Sequence, residues 1–278
     1  MIIAVASGKG GTGKTTIAIN LALSLENVQY FDCDVEEPNA AIFLKPEIHK
    51  RRSVTIPVPV IDETKCTQCK KCVDLCAYHA LVLLGKKLLL FPQLCHGCGG
   101  CSYICPEDAI TEQQRDIGVI EQGTAGAIDF IQGLLNVGEP MATPIIKQQR
   151  RLIDPEKVVI LDAPPGTSCP VIETVRSADY VILVTEPTPF GLNDLKLAVE
   201  TMRELKIPFG VVINCADIGN DEVKNYCAAE RIPVLLELAW NRCIAEGYSR
   251  GQPAVTIVPD LKQDFQNMYA AILSKLCV

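Results

Sequence analysis

Eight cysteines lie between residues 66 and 105 in two quartets of identical spacing. Cys66, Cys69, Cys72 and Cys76 form the first, and Cys95, Cys98, Cys101 and Cys105 the second; both read C-x2-C-x2-C-x3-C. Each first-quartet position plus 29 gives its counterpart in the second, and Ala80-Leu81 returns as Ala109-Ile110. Thiolate sulfur is the natural ligand for iron, so this array points to metal–sulfur chemistry and to one-electron transfer.

A second chemistry precedes it. Gly8-Lys9-Gly10-Gly11-Thr12-Gly13-Lys14-Thr15 satisfies G-x4-G-K-[ST]. It follows a short apolar run and opens a helical pattern, which is the context the motif requires. Backbone N–H groups of residues 10 to 15 form an anion nest, and the helix N-terminus adds a favourable dipole. Lys14 is expected to reach the β and γ phosphates of a nucleotide, and the Thr15 hydroxyl to coordinate Mg2+. Asp32 and Asp34 end the next apolar run, where carboxylates can hold magnesium through water and orient an attacking water. Val158-Val159-Ile160-Leu161-Asp162 looks like a Walker B strand, with Asp162 in the magnesium shell, and Ala163-Pro164-Pro165-Gly166-Thr167 follows it.

These residues need a scaffold, and the apolar patterning supplies one. Strands are expected at Met1 to Ala6, Val28 to Phe31, Val158 to Leu161, Tyr180 to Val184 and Phe209 to Ile213. Helices are expected at Thr15 to Leu25, Val171 to Arg176, Leu192 to Glu204 and Asp221 to Glu230. Strand alternating with helix implies an α/β fold with a mostly parallel sheet covered on both faces. Asp260 to Leu276 reads as an amphipathic closing helix that packs on the core. Residues 59–113 break the alternation after Pro57 and Pro59. They are read as an insertion that splits a nucleotide-binding domain into 1–58 and 114–278.

The 278 residues are 48% hydrophobic but only 5% aromatic, so the core must be largely aliphatic. A net charge of -7 argues against nucleic acid as partner, because phosphate backbones require clustered cations. Lys50, Arg51 and Arg52 form one local basic run, read as a solvated loop. Fourteen cysteines can signal a secreted disulfide protein. Here they are clustered, the apolar start runs directly into the phosphate loop, and the size needs no covalent staples. A reducing cytoplasm is therefore expected, and direct membrane binding is not.

Lys9 to Thr16 read K-G-G-T-G-K-T-T. In this the chain resembles the deviant Walker A ATPases, the group that contains MinD, ParA, nitrogenase iron protein and Mrp-type iron–sulfur carriers. The resemblance implies ATP hydrolysis, and a homodimer with ATP at its interface where Lys9 crosses to the partner's phosphates. It further assigns Asp34 to the attacking water, Asp32 to the metal shell and Gly166 to sensing the γ-phosphate. Asn214 and Asp217 resemble the family's adenine-side contacts.

The quartets resemble those of bacterial two-cluster ferredoxins, in which three close cysteines bind one 4Fe-4S cluster and the distant cysteine of the other quartet completes it. That implies one cluster on Cys66, Cys69, Cys72 and Cys105, and a second on Cys95, Cys98, Cys101 and Cys76. A pair of zinc sites is the alternative. Cys105 is followed by the usual Pro106, whereas Cys76 is followed by Ala77. His79 and His96 lie beside cluster cysteines. Of the other cysteines, Cys33, Cys215, Cys227, Cys243 and Cys277 are read as packed thiols. Cys169, just after the Gly166 segment, is also read as a packed thiol, with a cluster bridging the dimer axis as the alternative that the resemblance to nitrogenase iron protein raises.

Three functions follow from the combined resemblance. The first is an ATP-driven dimer switch coupled to electron transfer through two 4Fe-4S clusters, serving a redox or iron–sulfur protein partner. The second is an iron–sulfur carrier or assembly ATPase. The third is a positioning ATPase with the insert as a redox-sensing docking module. Amide transfer from glutamine, an activity of the wider superfamily, needs a further glutaminase domain and is not expected.

Overall fold

The computed structural model describes residues 1–276. The chain runs through β1 (Ile2–Ala6), α1 (Lys14–Ser24), β2 (Val28–Asp32), α2 (Ala40–Leu44) and β3 (Glu47–Ile61). The cysteine-bearing stretch then folds as α3 (Lys71–Leu75), β4 (Leu81–Leu84), β5 (Lys87–Leu90) and α4 (Gly100–Ile104). The chain returns through β6 (Ile110–Ala125), β7 (Ile128–Leu135), α5 (Thr143–Gln149), β8 (Val158–Asp162), α6 (Cys169–Val175) and β9 (Tyr180–Thr185). It ends with α7 (Pro189–Leu205), β10 (Phe209–Asn214), α8 (Glu222–Ala229), β11 (Val234–Leu238), α9 (Arg242–Tyr248), α10 (Ala254–Ile257) and α11 (Leu261–Leu276).

One sheet of nine strands has the order β11-β10-β9-β1-β8-β2-β7-β6-β3. The run from β11 to β7 is parallel, with β1 between β8 and β9 and β2 between β8 and β7. β1, β2, β8 and β9 are buried almost throughout, as strands covered on both faces must be. Two layers of core result. Phe31, Val159, Leu161, Val181 and Leu183 face α5, α6 and α7. Ile3, Val5, Tyr30, Ile160 and Ile182 face α1 and α11. Phe265, Met268 and Ile272 bury the inner side of α11, the closing helix expected from the sequence.

The structure departs from the sequence expectation at the far edge. β6 runs antiparallel to β7, and β3 antiparallel to β6, so the sheet ends in a long two-stranded arm. Lys50, Arg51 and Arg52, expected in a solvated loop, sit on β3 with their side chains exposed at the sheet edge. β-branched residues at 54, 56, 58 and 60 supply the alternation that carries β3 on to Ile61, through Pro57 and Pro59; edge strands tolerate proline because an outward N–H is not needed. The boundaries at 59 and 113 therefore fall inside β3 and β6, and the cysteines lie in the connection between these strands. No helix among the described residues is long and apolar enough to cross a membrane.

Candidate functional site

β1 delivers the phosphate loop and α1 receives it. Gly13 adopts φ 87° as the residue before α1, and a side chain there would meet the Asn214 amide at 2.5 Å, so only glycine fits. Gly11 also has positive φ, and Gly8, Gly10 and Thr12 complete the turn. The Asn214 amide donates to the Thr12 carbonyl at 3.1 Å, so Asn214 braces the loop from the end of β10. Gly166 donates its N–H to the Ser7 carbonyl at 3.0 Å, which ties the segment after β8 to the loop. Lys9 is half-buried, and its carbonyl accepts from the Ser7 hydroxyl at 2.6 Å.

Four charged groups meet beneath the loop. Lys14 Nζ lies 3.9 Å from Asp162 Oδ1, with both side chains buried. Asp162 Oδ2 accepts from the Tyr30 hydroxyl at 3.0 Å, while Oδ1 has no hydrogen-bond partner. Thr12 Oγ1 is also buried and unpartnered. Orphaned oxygens beside Lys14 and Thr15 suit a hydrated magnesium and a phosphate chain, so the residues present fit Mg2+–nucleotide. Burial and the neighbouring carboxylate push the Asp32 carboxyl up, and burial does the same to Asp162 against the pull of Lys14. Burial raises Asp34 to about 6, again opposed by Lys14.

Asp32 has a role that its position in the sequence does not disclose. Its Oδ2 accepts from the N–H groups of Asn39 and Ala40, both at 3.0 Å, and its Oδ1 from that of Asp34 at 3.2 Å. It therefore folds residues 34–40 back onto β2 and presents Asp34 to the loop. Asp217 likewise works on the backbone: its carboxylate accepts from the Trp240 N–H at 2.5 Å. A cavity of about 830 Å³, open to solvent, runs from Thr16 past Asn214 and Cys215 to Ala239 and Trp240. Asn214 lines it and Asp217 does not. Trp240, half exposed on this cavity, is a base-side candidate that the sequence reading missed; the signal was a lone tryptophan just past a strand end.

The cysteine unit is a structural repeat as well as a sequence repeat. α3 and α4 are related by the same 29 positions, and so are the left-handed residues Gln68 and Gly97, Lys70 and Gly99, and His79 and Asp108. Ala80 N–H points at Cys76 Sγ and Ala109 N–H at Cys105 Sγ, both at 3.3 Å. Ala77 thus sits in the same turn as Pro106. Two cavities open between the halves. Cys66, Cys69, Cys72 and Cys105 line one of about 420 Å³. Cys76, Cys95, Cys98 and Cys101, together with Cys72, line another of about 590 Å³. Each cavity is lined by three cysteines of one quartet and the last cysteine of the other, and Cys72 borders both. No three His, Cys, Asp or Glu side chains among the described residues converge on a single ion position. Thiols spread around a cavity, with N–H groups aimed at sulfur, fit a multi-atom cluster.

The two cavities differ in setting. Cys76, Ala80 and Cys95 pack on Val54, Ile56 and Val58 of β3, continuous with the main core. Cys66, Cys72 and Cys105 pack with Leu81, Leu88 and Ile110 in a separate small core. The Cys95 set is thus the inner one. Tyr78 and His96 stack at 3.5 Å over it. Of the remaining cysteines, Cys33 and Cys227 are buried as expected, Cys215 is half-buried, and Cys169 and Cys243 are exposed, which corrects the packed-thiol reading of both. Cys277 lies outside the described residues.

Residues 3–254 match the CobQ/CobB/MinD/ParA nucleotide binding domain. An uncharacterized protein of Methanocaldococcus jannaschii is 33% identical over 258 residues, covering 91% of this chain and 90% of the relative. An iron–sulfur cluster carrier protein of Pyrococcus horikoshii is 28% identical over 238 residues, covering 78% of this chain and 64% of that protein. In structure the chain is similar to the septum site-determining protein MinD of Pyrococcus horikoshii in complex with Mg-ADP. The TM-score is 0.60 at 17% identity, covering 96% of this chain and 93% of that one, a likeness of fold.

Proposed function

Because the chain belongs to the CobQ/CobB/MinD/ParA nucleotide-binding family, we propose that it is an ATP-hydrolysing protein that holds two iron–sulfur clusters and passes a cluster to a partner protein. The family implies nucleotide hydrolysis. The observation that carries the finer reading is the crossed distribution of eight cysteines over two cavities at the end of the β3–β6 arm. The relatives named as iron–sulfur cluster carriers favour delivery over electron transfer, which reverses the order expected from the sequence.

In this reading Lys14 and the loop N–H groups bind the phosphates, and Thr15 and Asp162 hold the hydrated magnesium, which neutralises phosphate charge when bound. Asp34 orients the attacking water. Asp32 keeps Asp34 in place, and its own oxygens are already taken by backbone N–H groups. Lys9 reaches the phosphates of a second copy in an ATP-closed homodimer. Asn214 and Trp240 border the base, with Asp217 as a backbone brace. The clusters are cargo: Cys66, Cys69, Cys72 and Cys105 take one, and Cys76, Cys95, Cys98 and Cys101 the other, within an inserted ferredoxin-like unit.

Electron transfer remains the second reading, favoured by the burial of Cys72 and Cys95, which suits clusters that stay. One experiment separates the two. The anaerobically loaded chain is mixed with an apo-ferredoxin, with and without MgATP, and cluster appearance on the acceptor is followed by circular dichroism. Delivery predicts faster appearance with MgATP. Clusters that remain on the chain while it reduces an oxidised acceptor would overturn delivery in favour of electron transfer.

A further inference from the structure

We infer that the segment from Glu139 to Arg150 carries the state of the nucleotide site to the inner cysteine set, and that Arg115 is the positioning residue that makes the joint. The inference rests on the reading above, in which nucleotide governs the clusters, and names the path.

At the cysteine end, Arg115 on β6 grips two elements at once. Its guanidinium pairs with both oxygens of Glu139, Nη2 to Oε2 at 3.0 Å. The same Nη2 donates to the Pro92 carbonyl at 3.2 Å. That carbonyl also accepts the Cys95 N–H at 3.2 Å, closing the turn Pro92–Leu94 that delivers the first cysteine of the inner set. A guanidinium fork is suited to hold a carboxylate and a carbonyl together, and an ammonium is not.

At the nucleotide end, the same segment grips the parts expected to move. Gln149 Nε2 donates to the Asp32 carbonyl at 2.7 Å in a fully buried contact. Arg150 Nη1 donates to Glu173 at 2.6 Å, on the helix that follows the Gly166 segment. Between the two ends runs α5, seven residues and therefore about 10 Å of rigid rod. It lies close on the sheet because Gly133 has no side chain: a Cβ there would stand 2.6 Å from Val35, 2.7 Å from Ile145 and 3.1 Å from Gln149.

Three buried polar atoms on this path have no partner: Arg115 Nε, Gln149 Oε1 and Arg150 Nε. Unpaired buried groups are unfavourable, so a small shift that pairs them is a second arrangement open to the same contacts. Movement of Asp32 or α6 on nucleotide binding displaces α5, then Glu139, then the turn before Cys95.

The test uses the full chain loaded anaerobically, with iron release to a chelator and the EPR signal recorded with and without MgATP. The wild-type chain is expected to change its release rate by about fivefold or more on MgATP. Arg115→Lys is expected to load iron and hydrolyse ATP as wild type does, while its release ratio falls to near one. Glu139→Gln, farther from the cysteines, must give the same result if Arg115→Lys loads poorly. A variant that keeps the wild-type ratio overturns the path and leaves the proposed function standing. No MgATP effect in wild type itself overturns nucleotide control of the clusters, and the path with it.

Discussion

Lys14 and Asp162 face each other across 3.9 Å in the floor of the phosphate loop, the ammonium waiting beside a carboxylate with one oxygen unpaired. A phosphate chain competes for that ammonium. Lys14→Ala removes hydrogen bonds to a charged ligand, so the ADP dissociation constant should rise by roughly 10- to 100-fold. Isothermal titration with MgADP reads it, and an unchanged constant would remove Lys14 from the phosphate site.

The carboxylates of this site bear on stability. Asp34 is raised by burial to about 6, so between about pH 4 and 6 the native chain keeps a proton that the unfolded chain has released. The native state then binds more protons than the unfolded state, and this contribution falls as pH rises through that window. Asp34→Asn should therefore unfold at higher urea than wild type at pH 7.5, and at nearly the same urea at pH 4, both without nucleotide. Equal gaps at the two pH values would show that Asp34 is not raised.

Crossed cavities give opposite outcomes for two similar mutations. Cys76→Ala should lose iron from the Cys95 set and keep the Cys66 set, whereas Cys105→Ala should do the reverse, each retaining about half the wild-type iron. Anaerobic iron and sulfide analysis with EPR distinguishes them. Loss from the mutated residue's own quartet in both variants would refute the crossing.

Trp240 is the one tryptophan in the chain and borders the cavity that starts at Thr16. Its emission should change on MgADP binding. Trp240→Ala should weaken ADP by about tenfold, the size of one base–aromatic stack. A silent emission and unchanged affinity would place the base elsewhere.

The local motifs were legible because they are contiguous. The loop from Gly8 to Thr15, the strand ending at Asp162 and the two cysteine quartets each need only neighbouring residues and a fixed spacing. The buried strands were legible because runs such as Val158 to Leu161 and Tyr180 to Val184 are apolar on both faces. β3 and β6 were not, because a ribbon exposed over half its length carries His49, Lys50 and Arg51 where a core strand carries valine, and its pairing lies in the partner strand. Asp32 illustrates the same limit within the site: the residue type suggested a metal shell, while the hydrogen bonds that occupy it come from Asn39 and Ala40 after the chain has folded back.

By itself the sequence determined that this protein has a phosphate loop, carboxylates at the ends of two apolar runs and eight cysteines in two quartets repeated at one period, since these are matters of residue type and local spacing. Only the tertiary structure decided which cysteines share a cavity, which set adjoins the core, and that Arg115, Glu139, Gln149 and Arg150 lie between that set and Asp32. Those relations join residues far apart in the chain, and what fixes them is the packing of α5 against the sheet and the pairing of β3 with β6, whose partners no local pattern identifies.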